Sequence, residues 1–177
     1  MSRMETTTAS PDDLRYMDLA LRWAGEALAA GEFPVGCVIA DHSGPVAEGC
    51  RAHSRGAANE LDHAEIVALR GLLTERPDIA REGLTVYSTM EPCLMCFATL
   101  LLNGIQRIVY AYEDAMGGGT GLDLSGLPPL YRQMQFTVLP GVRRAESLAL
   151  FKQFFADPAN NYWQGSLLAE YTLGQEL

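Results

Sequence analysis

Two short stretches, His63-Ala64-Glu65 and Pro92-Cys93-Leu94-Met95-Cys96, constrain this chain more than anything else in it, because their side chains make chemical sense only if they meet. His63, Cys93 and Cys96 are the nitrogen and sulfur donors that zinc prefers. Three of them leave one tetrahedral position for water, whereas a structural site is closed by four. Cys93 and Cys96 are three apart, so at the start of a helix they face the same way. The free N–H groups and partial positive charge at that end favour thiolates. Pro92 suits a first helical turn, where its missing donor costs little. Glu65 follows His63 by two, which on a continuing helix turns the two side chains about 200° apart. They can serve one point only if the helix is just starting at His63.

Glu65 is a poor ligand in this company and a good proton carrier. A carboxylate beside the open position can take a proton from water and pass it to a leaving amine, which is hydrolytic removal of an amino group from an amidine-like carbon. A lone C-x-x-C is weak evidence, since redox pairs and structural zinc share it. His-x-Glu, then a helix, a strand and Pro-Cys-x-x-Cys, is the much stronger signature of zinc base deaminases.

The remainder reads as a scaffold. The 177 residues, 48% of them hydrophobic, fit one domain over 1–177, with a loose tail over 1–11. No apolar run is long enough to cross a bilayer, and the polar N-terminus lacks the order of a signal peptide, so a cytoplasmic protein is expected. The four cysteines fit that compartment, with Cys37 and Cys50 expected to be ordinary buried thiols. A net charge of −9, with only Arg51/Arg55 and Arg143/Arg144 as basic groupings, disfavours tRNA as a partner without excluding it.

Apolar residues at helical spacing predict a helix from Asp12 to Ala30, and another from His63 carrying Ile66, Leu69, Leu72 and Leu73. Val35–Ala40 and Pro45–Gly49 flank turn residues and predict a hairpin. A strand over Leu84–Thr89, a helix over Cys93–Leu102 and a strand within Ile105–Tyr112 follow. That alternation predicts parallel pairing through right-handed crossovers. A long glycine-rich loop, Glu113 to Pro129, reads as a flexible segment near a site mouth. A last strand is expected at Gln135–Leu139 and a helix at Glu146–Phe155. The extension over 157–177 opens with helix breakers yet carries Tyr162, Trp163, Leu167, Leu168 and Tyr171. It is expected to dock on its own core, on a partner subunit, or over the site.

Phe33-Pro34-Val35-Gly36, His63-Ala64-Glu65-Ile66, Thr89-Met90-Glu91-Pro92-Cys93-Leu94-Met95-Cys96 and Ile108-Val109-Tyr110 together resemble the cytidine-deaminase-like superfamily, in its branch of bacterial tRNA adenosine deaminases and guanine deaminases. The likeness covers roughly residues 14–156. It implies an α/β fold, a three-layer α/β/α sandwich with a five-stranded mixed sheet, one Zn2+ per subunit and a homodimer. His63, Cys93 and Cys96 would bind the metal and Glu65 would shuttle protons. Backbone groups near Ala64 and Glu91 would face the tetrahedral centre, with Met90 beside them, and Pro34 and Val35 would line the base pocket.

Three positions depart from that pattern. Arg51 stands where adenosine-binding relatives carry Asn, and Asn59 is the candidate substitute; Arg can only donate hydrogen bonds, so base recognition should differ. Asp62 precedes His63 where a small residue is commoner, and is expected to cap the helix or to support the site. The apolar extension replaces a short basic end. His42 and His53 are expected to be solvated. The leading expectation is a zinc hydrolase acting on a free nucleobase or nucleoside, most simply a purine of guanine or adenine type. The alternatives are wobble adenosine in tRNA, or a non-catalytic zinc-stabilised binding protein.

Overall fold

A computed structural model describes residues 8–177; most of the tail expected over 1–11 lies outside the described residues. Its last part is already helix. Ser10 caps α1 (Pro11–Ala29) through a reciprocal capping box with Asp13, with Pro11 in the first turn. The hairpin follows as β1 (Gly36–Asp41) and β2 (Gly44–Cys50), paired antiparallel with an irregularity after Ile39. Then come α2 (Ala64–Glu75), β3 (Thr85–Met90), α3 (Leu94–Leu102) and β4 (Arg107–Tyr112). The glycine-rich loop holds a single 3-10 turn, Leu124–Gly126, before α4 (Pro129–Arg132). β5 (Thr137–Leu139), α5 (Arg144–Ala156) and α6 (Leu167–Gly174) complete the chain.

The five strands form one mixed sheet in the order β2-β1-β3-β4-β5. Parallel pairing holds for β3 with β4 and β4 with β5. The crossover from β2 does not deliver β3 beside it, because β1 lies between them and runs antiparallel to both. The strand pleat divides the core. Val38, Ala40, Tyr87, Val109 and Ala111 pack beneath Tyr16, Met17 and Ala20 of α1. Their neighbours Cys37, Ile39, Val86 and Ile108 face α2 and α3. Gly36 allows α1 to lie close on β1, since a side chain there would run into the α1 backbone at Ala20 and Ala24.

The C-terminal extension packs on its own chain. Phe33 is surrounded by Phe151, Phe154, Phe155 and Tyr162, with ring centroids 5.2–6.0 Å apart. Leu168 and Ala169 of α6 are buried in the same cluster. Tyr112 and Thr172 share a buried hydrogen bond of 3.0 Å, and the Tyr171 hydroxyl donates to Glu113 at 2.7 Å. Ser166 caps α6 by accepting from Ala169 N–H.

Candidate active site

The two motif stretches meet because each begins outside its helix. His63 is the residue before α2, extended at φ −64° and ψ 149°, and Cys93 is the residue before α3, extended at φ −65° and ψ 170°. His63 can therefore turn back towards the point that Glu65, already in the first turn, faces. Helix α3 starts two residues later than Pro92, so Pro92 precedes the cap and does not occupy the first turn.

His63 Nδ1 lies 3.5 Å from Cys93 Sγ and 3.6 Å from Cys96 Sγ. All three ligand atoms fall within 4.8 Å of one another. Zinc–sulfur and zinc–nitrogen bonds of about 2.3 and 2.0–2.1 Å at a tetrahedral angle put the two donors about 3.6 Å apart, so the donor set fits that ion. Among the described residues, Cys37 and Cys50 stand outside the cluster. The thiols differ. A hydrogen bond from Cys96 holds Cys93 down to about 4 against its burial, with His63 adding to the effect, while the same bond and burial push Cys96 up. Metal binding would release that remaining proton.

Glu65 is 3% exposed. Its Oε1 accepts from the Ser88 hydroxyl at 2.9 Å, and Oε2 lies 3.5 Å from Cys96 Sγ. Burial pushes its carboxyl above the ordinary range, although the charge of His63 and the Ser88 hydroxyl pull the other way.

These groups open into a cavity of about 320 Å³. Val35, Arg51, His63, Ala64, Glu65, Met90, Glu91 and Cys93, all singled out in the sequence, line it. Pro34 and Asn59 do not. Pro34 is buried beside the wall, and Asn59 is used within its own loop, donating to Asp62 and accepting from Leu61 N–H. Glu91 reaches the wall with its carboxylate engaged by the N–H groups of Asp114 and Thr120 and by the Thr120 hydroxyl. It anchors the glycine-rich loop, and a side chain on Gly118 would collide with it. Asp62 is not the helix cap expected of it. Its carboxylate accepts from His53 and Asn59, both at 2.7 Å, and from Arg70 at 3.3 Å, which ties the preceding loop to α2. His53 is thus exposed but bonded.

Arg51 is 2% exposed. Its Nη1 donates to the carbonyls of Ala52 and Asn59, its Nη2 reaches Glu60 and Tyr162, and its Nε is buried with no partner among the described residues. Sequence reasoning missed several walls of the cavity, including Phe33, Glu60, Asp114 and Met116, and left Tyr162 and Trp163 of the extension without a definite place. Those two and Leu168 form a roof. Trp163 is 45% exposed and holds a left-handed backbone at φ 57°.

The fold and this site define a zinc-dependent hydrolase of the deaminase type. Residues 10–112 match the family described as the cytidine and deoxycytidylate deaminase zinc-binding region, and the chain belongs to that family. It is 33% identical over 148 residues to tRNA-specific adenosine deaminase 2 of Danio rerio, covering 79% of this chain and 69% of the relative. A solved structure from work on A-to-I editing at the wobble position of transfer RNA is 27% identical with a TM-score of 0.66, covering 77% of this chain and 98% of that one. A guanine deaminase structure from Nitrosomonas europaea is 22% identical with a TM-score of 0.67, covering 85% and 87%, and shows the shared fold. No described helix is long and apolar enough to cross a membrane.

Proposed function

We propose that this chain, as one deaminase domain over 1–177, removes the amino group of a free purine, of guanine type, with His63, Cys93 and Cys96 as metal ligands and Glu65 as proton carrier. The observation that carries the substrate is the roof. Tyr162 and Trp163 close over a cavity of about 320 Å³, at the small end of ligand pockets, and the net charge of −9 offers little to a phosphate backbone. Arg51 supports the choice of base. A guanidinium only donates, and Arg51 lines the cavity. It therefore suits a ring edge made of acceptors, such as O6 and N7 of guanine, better than the mixed edge of adenine.

Zinc, when bound, supplies Lewis acidity that brings water near its ionisation point at neutral pH. The chain's own residues do the rest. Ala64, Met90 and Val35 position the ring against Glu65. Glu65 takes a proton from the attacking water and delivers it to the ring nitrogen beside the reacting carbon. It then carries the second proton to the amino group, which departs as ammonia while the carbon becomes a carbonyl. A carboxyl raised by burial is well matched to holding and releasing a proton in turn. The exposed Leu94 and Leu102 on α3 offer apolar surface for the expected homodimer.

A second reading, wobble adenosine in tRNA, is favoured by the relative from Danio rerio and by the wobble-editing structure. Ammonia release from free guanine, adenine, cytosine and their nucleosides, measured beside inosine formation in a tRNA anticodon, separates the two. Release from free guanine is expected; reaction confined to the anticodon overturns the proposal.

A further inference from the structure

Glu60 belongs to no motif, yet one of its oxygens carries three contacts. The Tyr162 hydroxyl donates to Oε2 at 2.8 Å, Arg51 Nη2 at 3.2 Å, and His63 Nε2 lies 3.3 Å away. The opposite ring nitrogen of His63, Nδ1, is the one that faces the two sulfurs, at 3.5 and 3.6 Å. A neutral imidazole carries its proton on one nitrogen and a lone pair on the other, and an ionised carboxylate can only accept. A proton on Nε2, directed at Glu60, would leave Nδ1 bare towards the thiols.

The glutamate is itself held from two sides. Arg51 is buried, and its own carbonyl contacts to Ala52 and Asn59 fix it in the loop before α2. Tyr162 comes from the far end of the chain, with its ring packed on Phe33. The Glu60 side chain is 54% exposed and that of His63 24%, so nothing else in the contact is sheltered enough to hold the geometry without them. The other carboxylates nearby are engaged elsewhere: Asp62 with His53, Asn59 and Arg70, and Glu91 with the glycine-rich loop.

We infer that Glu60 is the positioning residue of the metal centre: it sets the tautomer and ring orientation of His63, and through the Tyr162 hydroxyl it makes that setting depend on the docked C-terminal extension. Carboxylates behind metal-bound histidines commonly change metal affinity about 10–100-fold when removed. Here the same carboxylate also joins the roof of the cavity to the ligand beneath it.

The test is zinc affinity of the purified full chain, by competition with a chromogenic chelator at one pH. The visible absorption of the Co2+-loaded protein adds a readout of coordination that a merely structural role would not move. Glu60→Ala is expected to weaken zinc about 10–100-fold and to alter the cobalt bands, with the far-UV circular dichroism of the metal-free chain unchanged. Tyr162→Phe keeps the ring against Phe33 and removes one hydrogen bond, and is expected to weaken zinc about three- to tenfold. In the double variant the tyrosine change should add nothing, because it acts only through Glu60. Wild-type affinity and cobalt bands in Glu60→Ala overturn the inference, as do losses that add in the double variant. If Glu60→Ala does not fold, Glu60→Gln combined with Tyr162→Phe carries the same additivity test. The inference rests on the ligand set proposed above, which loss of tight zinc binding in Cys96→Ser checks separately.

Discussion

Asp13 and Glu65 are both buried carboxylates, 1% and 3% exposed, and the fold treats them in opposite ways. Burial pushes each upward. At Asp13 that push is overcome: Arg107 donates twice, at 2.7 and 3.0 Å, and Ser10 N–H donates as well, which brings the carboxyl down to about 2, while the Tyr87 hydroxyl also bonds to it at 3.0 Å. At Glu65 the only hydroxyl donor among the described residues is Ser88, and the carboxyl stays raised. A fully satisfied buried charge fixes α1 to the sheet. One held only by a hydroxyl and a thiol, with no cation among the described residues bonded to it, keeps a proton within reach of a reaction, at a cost in stability.

The sharpest way to break that contrast is Glu65→Gln. Gln can still accept from Ser88 but carries no proton to and fro. Deamination is expected to fall by about 10²–10⁴-fold, with zinc content and the melting temperature retained. Because a raised carboxyl opposes folding, the metal-free variant should be at least as stable as the parent. Retained activity on any substrate the parent turns over removes Glu65 from its role.

Asp13→Asn should do the reverse, lowering stability by about 2 kcal/mol while activity per folded molecule stays the same. For a chain of this size that is roughly 4–8 °C in melting temperature. The pH dependence has a definite sign. The folded carboxyl lies below its ordinary value of 3.8. Its stabilisation is therefore present in full above about pH 4 and drains away as pH falls towards 2. Urea midpoints of parent and variant should differ at pH 7 and converge as pH drops below 4. A constant gap would mean that Asn fails for reasons of shape and not of charge.

The same contrast shows what the sequence could and could not reveal. His63, Glu65, Cys93 and Cys96 were legible because their chemistry is unusual and their spacing is local to two helix starts. The strands were legible as elements, but not β1 lying between β2 and β3, since pairing order is set by long-range packing. The Tyr162 contact to Glu60 spans 102 residues and leaves no periodic trace. Asp62 looked like a cap because it precedes a helix, but His63 takes the cap position, and its extended backbone is what lets it face the metal site. Helix α6 did carry a readable signal: Ser166 ahead of Leu167-Leu168-Ala169 is an N-cap before an apolar turn.

The smallest effect tests the finest part of the comparison. Ser88 is fully buried on β3, and its hydroxyl is the donor that partly offsets burial at Glu65. Ser88→Ala removes one hydrogen bond, worth about 1 kcal/mol or roughly a fivefold drop in kcat, with KM unchanged if the hydroxyl touches Glu65 and not the substrate. Its loss takes away an influence that lowers the carboxyl, so Glu65 must rise further. The acid limb of the kcat profile should then move to higher pH, the direction opposite to what added donors achieve at Asp13. A fivefold loss with an unmoved acid limb would assign Ser88 to packing alone, and the difference between the two carboxylates would then lie in burial and charge, with the hydroxyl playing no part in setting the proton's affinity.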